Sequence, residues 1–383
     1  MLNLHFRIHV FAFVMMFALL AGAGNSFAEK TVWKDGDKKL DLLGDLRFRY
    51  EVDNNESKTG DNSMQRTRER VRLRIGGVYS GGPNVEAGFR LATGSNDLHS
   101  PHQTLSDGPG EAKALGNANF GTDKAYVKFK SGGFWTWAGK NSLPTKQILE
   151  TWIDGDFNPG GIALGYNAVY NEARSGFSVG RFTVANNDHK ASNDIASLIT
   201  MDHGRKIGNA GIKLTVASLI ADETDRDPAE TLTDIPGGDA TYNYLGTEVK
   251  IGLAKVGIEY MLSDVKVEER GGDNAKSPDT SGLVAFINLR LMESFGIRYC
   301  YYDIGYASVP LMGTWAQDDF PNSSNFTGSK IQFDIYTQQG ATIDIRLYEH
   351  KTKNELITTD ENTNALSGKT KISRTQVNVN VAF

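Results

Sequence analysis

The chain has 383 residues, of which 39% are hydrophobic, and a formal net charge of −5. Beyond residue 28 no run of about 18 apolar residues exists and the mean hydropathy is −0.37, which excludes a helical membrane span. The mildly acidic total argues against a nucleic-acid binder, and the lone cysteine, Cys300, excludes an intrachain disulfide.

The first element is a targeting segment. Residues 1–28 carry Arg7 between His5 and His9, an apolar run from Val10 to Ala23, and then Asn25-Ser26-Phe27-Ala28. A cation, an apolar stretch short for a span, and small residues at the −3 and −1 positions read as a secretory signal peptide. Residues 29–383 then form the mature chain, a single domain whose charge is −6 once Arg7 leaves. A secreted chain without disulfides needs another source of stability, and closing a sheet on itself provides one. The 41 glycines, 10 prolines and 10% aromatics suit many twisted strands joined by tight turns.

From Leu40 onward, apolar and polar residues alternate with the two-residue period of strands. Leu42, Leu46, Phe48, Tyr50 and Val52 alternate with Asp45, Arg47, Arg49 and Glu51. Val71, Leu73 and Ile75 oppose Arg66, Arg68, Arg70, Arg72 and Arg74; Val85, Ala87, Phe89 and Leu91 oppose Glu86 and Arg90. Ala125, Val127 and Phe129 oppose Lys124, Tyr126, Lys128 and Lys130, and Ile343, Ile345 and Leu347 oppose Asp344, Arg346 and Tyr348. The pattern predicts sixteen strands, near 40–52, 66–79, 84–93, 122–131, 134–140, 160–170, 175–185 and 196–205 in the first half. The second half gives 208–221, 241–253, 255–266, 281–291, 295–305, 329–337, 341–351 and 371–383. The weakest alternation is in 134–140 and 196–205.

The connections are equally informative. Short turns such as Ser80-Gly81-Gly82-Pro83, Ser131-Gly132-Gly133 and Ile207-Gly208-Asn209 alternate with long polar loops at 53–65, 94–121, 141–159, 186–195, 222–240, 267–280, 306–328 and 352–370. Strict short/long alternation with an even strand count is the layout of an all-β transmembrane antiparallel barrel, with short periplasmic turns and long extracellular loops. About sixteen strands enclose an aqueous channel instead of a side-chain core.

The Arg66–Arg74 ladder is the sharpest candidate for function. Alternate strand residues sit about 7 Å apart on one face. Five guanidinium groups in such a row are too costly for a dry core and for lipid, so water is their expected neighbour. Arg47, Arg49, Arg90, Lys128, Arg298, Arg346 and Arg374 fall on polar faces of other strands and extend the expected pore lining, as do Lys213 and Arg290. Glu51, Glu86, Glu248, Glu259 and Asp344 offset part of the repulsion. Such a wall favours anions; a solvated face without selectivity is the plainer alternative. Trp135 and Trp137, with Tyr299 and Tyr301, are candidates for interfacial girdles, against ordinary strand packing. The last strand places Val377, Val379, Val381 and Phe383 on one face, and a terminal phenylalanine resembles the signal that outer-membrane barrels present to their assembly machinery.

The segments Leu46–Glu51 (LRFRYE), Arg66–Gly77 (RTRERVRLRIGG), Gly88–Ser95 (GFRLATGS), Ala125–Phe129 (AYVKF), Gly139–Pro144 and Asp154–Gly161 (DGDFNPGG) resemble the porin family of Gram-negative outer membranes. The resemblance runs over nearly the whole mature chain and is strongest in its first half. It implies a barrel and porin-type transport, but no particular solute and no catalytic residue.

Weaker constellations point elsewhere. Asp154, Asp156, Asn158 and Gly160 mimic the opening of a calcium loop, yet Pro159 occupies the required glycine position and Gly165 the closing glutamate. His99 and His102 are too few for a metal site, and the scattered histidines do not suit a barrel hydrolase. The expected function is therefore passive diffusion of small hydrophilic solutes across the bacterial outer membrane, anion-preferring, with no cofactor and no nucleic-acid partner. A substrate-specific or export channel for an anionic solute or polymer, similar in plan to alginate-export barrels, is the alternative within transport. A structural barrel or adhesin and a barrel enzyme are the alternatives outside it. Whether the barrel is a homotrimer stays open at this stage.

Overall fold

The computed structural model describes residues 30–56, 64–94, 101–105, 120–185, 194–222, 240–265, 279–305, 307–310, 319–321, 324–337, 340–353 and 371–383, with side chains left aside at a few strand ends. Residues 1–28, the expected signal peptide, lie outside them.

The strands are β1 (Lys30–Asp35), β2 (Lys38–Glu56), β3 (Met64–Gly81), β4 (Val85–Thr93), β5 (Gln103–Thr104) and β6 (Phe120–Ser131). They continue with β7 (Phe134–Lys140), β8 (Gly160–Tyr170), β9 (Ala173–Ala185), β10 (Asp194–Ile207), β11 (Ala210–Asp222) and β12 (Ala240–Ile251). The last six are β13 (Ala254–Ser263), β14 (Ser281–Met292), β15 (Phe295–Ile304), β16 (Phe326–Tyr336), β17 (Ala341–Thr352) and β18 (Lys371–Ala382). Sixteen of them, β2–β4 and β6–β18, pair antiparallel with their neighbours, and β18 closes on β2 from Lys371↔Glu56 to Ala382↔Asp45. The wall is a closed barrel, as the alternation of turn lengths predicts.

Two strands escape the sequence reading. β1 folds back on the start of β2, continuing the edge where β18 ends, and β5 pairs with Arg70 and Val71 beyond the end of β4. Both are too short to show a period. Of the expected tight turns, those at Gly132 and Gly208 open with φ of 58° and 57°; Gly36, Gly252 and Asn171 do the same, at 58°, 56° and 51°, in turns not singled out from the sequence. These are left-handed values that glycine and asparagine tolerate.

The outer face is apolar around the barrel. Ile75, Phe89, Phe129, Leu164, Ile199, Leu245, Ile258, Leu283 and Leu347 all stand exposed on it. An apolar surface this continuous is far beyond what a water-soluble monomer shows, and lipid is its natural solvent. Tyr299 and Tyr301 point outward as expected.

Trp135 and Trp137 do not, which corrects the girdle assignment. Phe134 and Thr136 take the outward positions of β7, so the two-residue period turns both indoles inward. Trp137 packs on Phe182 at 5.8 Å between ring centroids, and Lys128 lies over the Trp135 ring. Gly165, opposite Trp135, leaves the space that the indole fills. The outward aromatic pairs near the turns are instead Phe134–Tyr166 and Trp33–Tyr79.

The inner face divides in two. Strands β16–β18 and β2–β6 present charges, whereas β9–β15 bury Phe182, Leu198, Leu219, Tyr242, Met261, Val284 and Tyr302 inside the barrel. On this second arc the expected charged inner face holds only toward the turns, where Lys213, Glu248, Arg290 and Arg298 share the inward parity, and elsewhere gives way to these apolar residues. Strand β10 is apolar on both faces there, Leu198 inward and Ile199 outward, which is why its alternation is faint.

Candidate functional site

The arginines of β3 meet β2 in direct cross-strand register: Arg66↔Asp53, Arg68↔Glu51, Arg70↔Arg49, Arg72↔Arg47 and Arg74↔Asp45. On its other side β2 meets β18, with Arg374↔Asp53, Gln376↔Glu51, Asn378↔Arg49 and Asn380↔Arg47. Side chains directly opposite one another are close enough to interact, so the wall zips itself with charge-assisted bonds. Arg66 donates to Asp53 at 2.8 Å, Arg68 pairs with Glu51, and Arg74 Nε donates to Asp45 Oδ2 at 2.7 Å. Arg374 Nε adds a 2.6 Å bond to Asp53 Oδ1.

Two loops bring further carboxylates to this wall. Asp156, from the segment between β7 and β8, accepts from Arg72 Nη1 and Arg74 Nη1, both at 2.7 Å. Asp319, between β15 and β16, pairs with Arg49 and Arg346, while the backbone carbonyls of Asp319 and Phe320 accept from Arg374. The ladder is therefore not a row of free cations. Arg49, Arg70 and Arg72 are buried beneath loop atoms, and Arg66 at the loop end is exposed.

The segment 141–159 crosses the barrel interior. Its residues run along the apolar arc on a series of side-chain anchors. The carbonyl of Pro144 accepts from Ser178 and Thr200, and that of Lys146 from Thr215. Ile148 N donates to Tyr244 Oη at 2.8 Å, and Leu149 N and Tyr244 Oη both donate to Glu259 Oε1 at 2.6 Å. Trp152 stacks on Tyr244 and packs with Ile153, Phe157 and Leu143 into the apolar arc. The segment then reaches the opposite wall, where Asp156 meets the arginines and Asn158 donates to Asp123, which also holds Arg90. Glu150 lies on this loop within electrostatic reach of Arg47 and Arg346.

The sequence-predicted residues sort as follows. Arg47, Arg49, Arg66, Arg68, Arg70, Arg72, Arg74, Arg346 and Arg374 come together on one inner arc. Arg90 and Lys128 stand on the adjoining strands β4 and β6, and Arg298 lies farther round on β15, opposite Asn288 and Gln332. Sequence reasoning missed Asp156, Asp319 and the Tyr244–Glu259 anchor. The acid-rich Asp154–Asn158 stretch was the visible signal: Asp156 serves the arginines, and its N–H donates to Asp154 Oδ1 at 2.8 Å. Among the described residues no three ligating side chains group for a metal; His99 lies outside them, and His102 is buried.

On the turn side of these contacts a cavity of about 510 Å³ opens between Leu43, Gly44, Asp45, Arg47, Arg72, Arg74, Thr342, Asn380 and the end of β18. Arg47 Nε donates to Asn380 Oδ1 at 2.6 Å, and among the described residues no carboxylate lies within ion-pair distance of Arg47.

No protein-family model and no curated protein sequence matches the chain. Solved structures do. OmpF of Salmonella typhi, in complex with daunomycin, superposes with a TM-score of 0.57 at 14% identity, covering 92% of this chain and 100% of that one. OprB of Pseudomonas putida gives 0.55 at 9% identity over 89% and 94%, and an anion-selective porin from Comamonas acidovorans 0.52 at 14% identity over 90% and 100%. At such identities the likeness concerns the fold: this chain has the architecture of the outer-membrane porins.

Proposed function

We propose that the chain forms a water-filled channel in a Gram-negative outer membrane, through which small hydrophilic solutes diffuse passively with a preference for anions. One observation carries this reading. A closed wall with an apolar outside holds on its inner side an arginine arc facing a crossing loop, with an open cavity beside it. The polar cavity beside the ion-paired arc is suited to water, and water enclosed by a transmembrane wall is a conduit. Anion preference follows from the cavity wall, where, among the described residues, Arg47, Arg72 and Arg74 outnumber the two carboxylates paired with them, Asp45 and Asp156. The fold shared with porins, including an anion-selective one, supports the reading. So do the signal-like residues 1–28 and the terminal Phe383, which fit secretion and delivery to the barrel assembly machinery. A homotrimer in the lipid of that membrane is the proposed assembly.

Purified protein in a planar bilayer tests this. Stepwise ion currents are expected, with a reversal potential of chloride sign in a potassium chloride gradient. Absence of current would remove the channel, and a potassium-sign potential would remove the anion preference alone.

A further inference from the structure

We infer that the cavity on the turn side of the arginine arc is a binding site for small hydroxylated monocarboxylates, of the sugar-acid type, entering or leaving the channel. The inference deepens the channel reading and rests on it for its physiological sense.

The chemistry of the lining selects the ligand class. Arg47 is held by its Nε, which donates to Asn380 Oδ1, so the guanidinium is fixed while, among the described residues, its terminal nitrogens make no further hydrogen bond and can meet a ligand. Asn380 is itself locked, donating its amide to Asp344 Oδ2 at 2.9 Å. A carboxylate matches a guanidinium through two parallel hydrogen bonds, and a fixed fork loses little freedom on binding. Arg72 and Arg74, already engaged with Asp45 and Asp156, add positive potential without needing to reorient.

Asp45 decides the rest. Its carboxylate lines the same cavity as an acceptor, so it repels a second negative charge and rewards hydroxyl donors. Thr342 contributes a hydroxyl, and Leu43, Val381 and Ala382 offer apolar surface for C–H groups. Among the described residues the lining holds no aromatic ring on which a neutral sugar could stack. One negative charge with several hydroxyls satisfies this set. A dianion meets Asp45, and a neutral polyol gains nothing from the charge of Arg47. The volume of about 510 Å³ lies in the range of small-molecule sites and admits such an anion with some water.

Isothermal titration calorimetry on the detergent-solubilised barrel, with sodium gluconate, sodium succinate and glucose as probes, tests the site apart from conduction. Saturable gluconate binding is expected, with succinate and glucose at least roughly tenfold weaker. Arg47→Gln is expected to weaken gluconate by roughly tenfold or more, and Arg47→Lys, which keeps the charge but loses the fork, by less. Thr342→Val, which removes no charged group, gives a second reading if the Arg47 variants fail to fold; a loss of a few fold is expected. Equal binding of the three probes, or gluconate affinity indifferent to both Arg47→Gln and Thr342→Val, would overturn the site. Bilayer recording separates the two readings: gluconate should block the current saturably and more effectively from the turn side. Binding without any ion current removes the channel and leaves the site standing; current with no gluconate binding does the reverse.

Discussion

Asp156 shows how one loop carboxylate sets the electrostatics of the whole arc. Its two oxygens each take a guanidinium, Arg72 and Arg74, and both arginines also share Asp45. Replacing Asp156 by Asn keeps the shape and removes one negative charge beside the cavity. At a few ångströms in a partly wet site a unit charge is worth about 1 kcal/mol, so the chloride-to-potassium permeability ratio is expected to rise by roughly two- to fivefold. Reversal potentials of the wild type and D156N, recorded in the same salt gradient, check this; an unchanged ratio means that permeating ions do not pass the arc. The same variant leaves Arg72, which is only 4% exposed, with one carboxylate fewer, and a stability loss of roughly 1–3 kcal/mol should accompany the selectivity change. The arginines themselves were legible from their spacing, because a two-residue period in a row of identical charges admits few neighbours. Their partners were not: Asp156 and Asp319 sit in loops, where no period links a residue to the wall it will touch.

The crossing loop 141–159 behaves as an element in its own right, held by side chains of five successive strands, β9 to β13. Tyr244 is its central anchor, accepting from the Ile148 amide and donating to the buried Glu259. Tyr244→Phe keeps the stacking surface for Trp152 but leaves the amide and the carboxylate short of a partner, at about 1–3 kcal/mol. The loop should then fluctuate, raising open-channel current noise while the barrel stays folded; a quiet channel of wild-type conductance would show that other anchors suffice. At the loop ends of the strands, Lys353 ties Asp279 and Asp303 together. Partial burial raises the Asp279 carboxyl, but bonds from Lys353 and Ser281 outweigh it and hold it below its ordinary range; the same pairing holds the Lys353 ammonium above its own. The depressed Asp279 contributes stability above the ordinary aspartate range and loses it as pH falls through its folded value. The elevated Lys353 contributes below the ordinary lysine range and loses it as pH rises through its folded value. Both side chains are half-buried at the loop ends, where water still screens them, so the network is worth about 1 kcal/mol. K353A should lower the melting temperature slightly at neutral pH, and by progressively less as the pH falls through the depressed folded value of Asp279. An equal loss at both pH values would assign the effect to packing. Strands with one wet and one greasy face, such as β3 and β17, declared themselves in the sequence. Strand β10 showed only a faint period, because a loop covers its inner face and makes both faces apolar.

At the scale of the whole barrel, stability depends on closure, since an open sheet of sixteen strands would expose two unpaired edges to lipid. The seam runs between β18 and β2, and its last links are backbone bonds: Gly44 N to Phe383 O at 2.7 Å and Phe383 N to Gly44 O at 2.9 Å. The Phe383 ring lies over Gly44, where a larger residue would collide with it. This gives the terminal phenylalanine a structural duty as well as the proposed duty as an assembly signal, and two variants separate them. Deleting Phe383 removes both backbone bonds and the ring contact, and should cost roughly 2–4 kcal/mol in a purified, refolded barrel. Phe383→Ala keeps the backbone bonds and loses a ring that is 44% exposed, so its cost should be about 1 kcal/mol or less. If the ring also guides assembly, the outer-membrane yield of F383A in cells should fall far more than that small loss allows, while refolding from denaturant into detergent micelles proceeds almost as in the wild type. A cellular yield that merely tracks the refolded stability of the two variants would leave Phe383 as the clasp of the seam and nothing more.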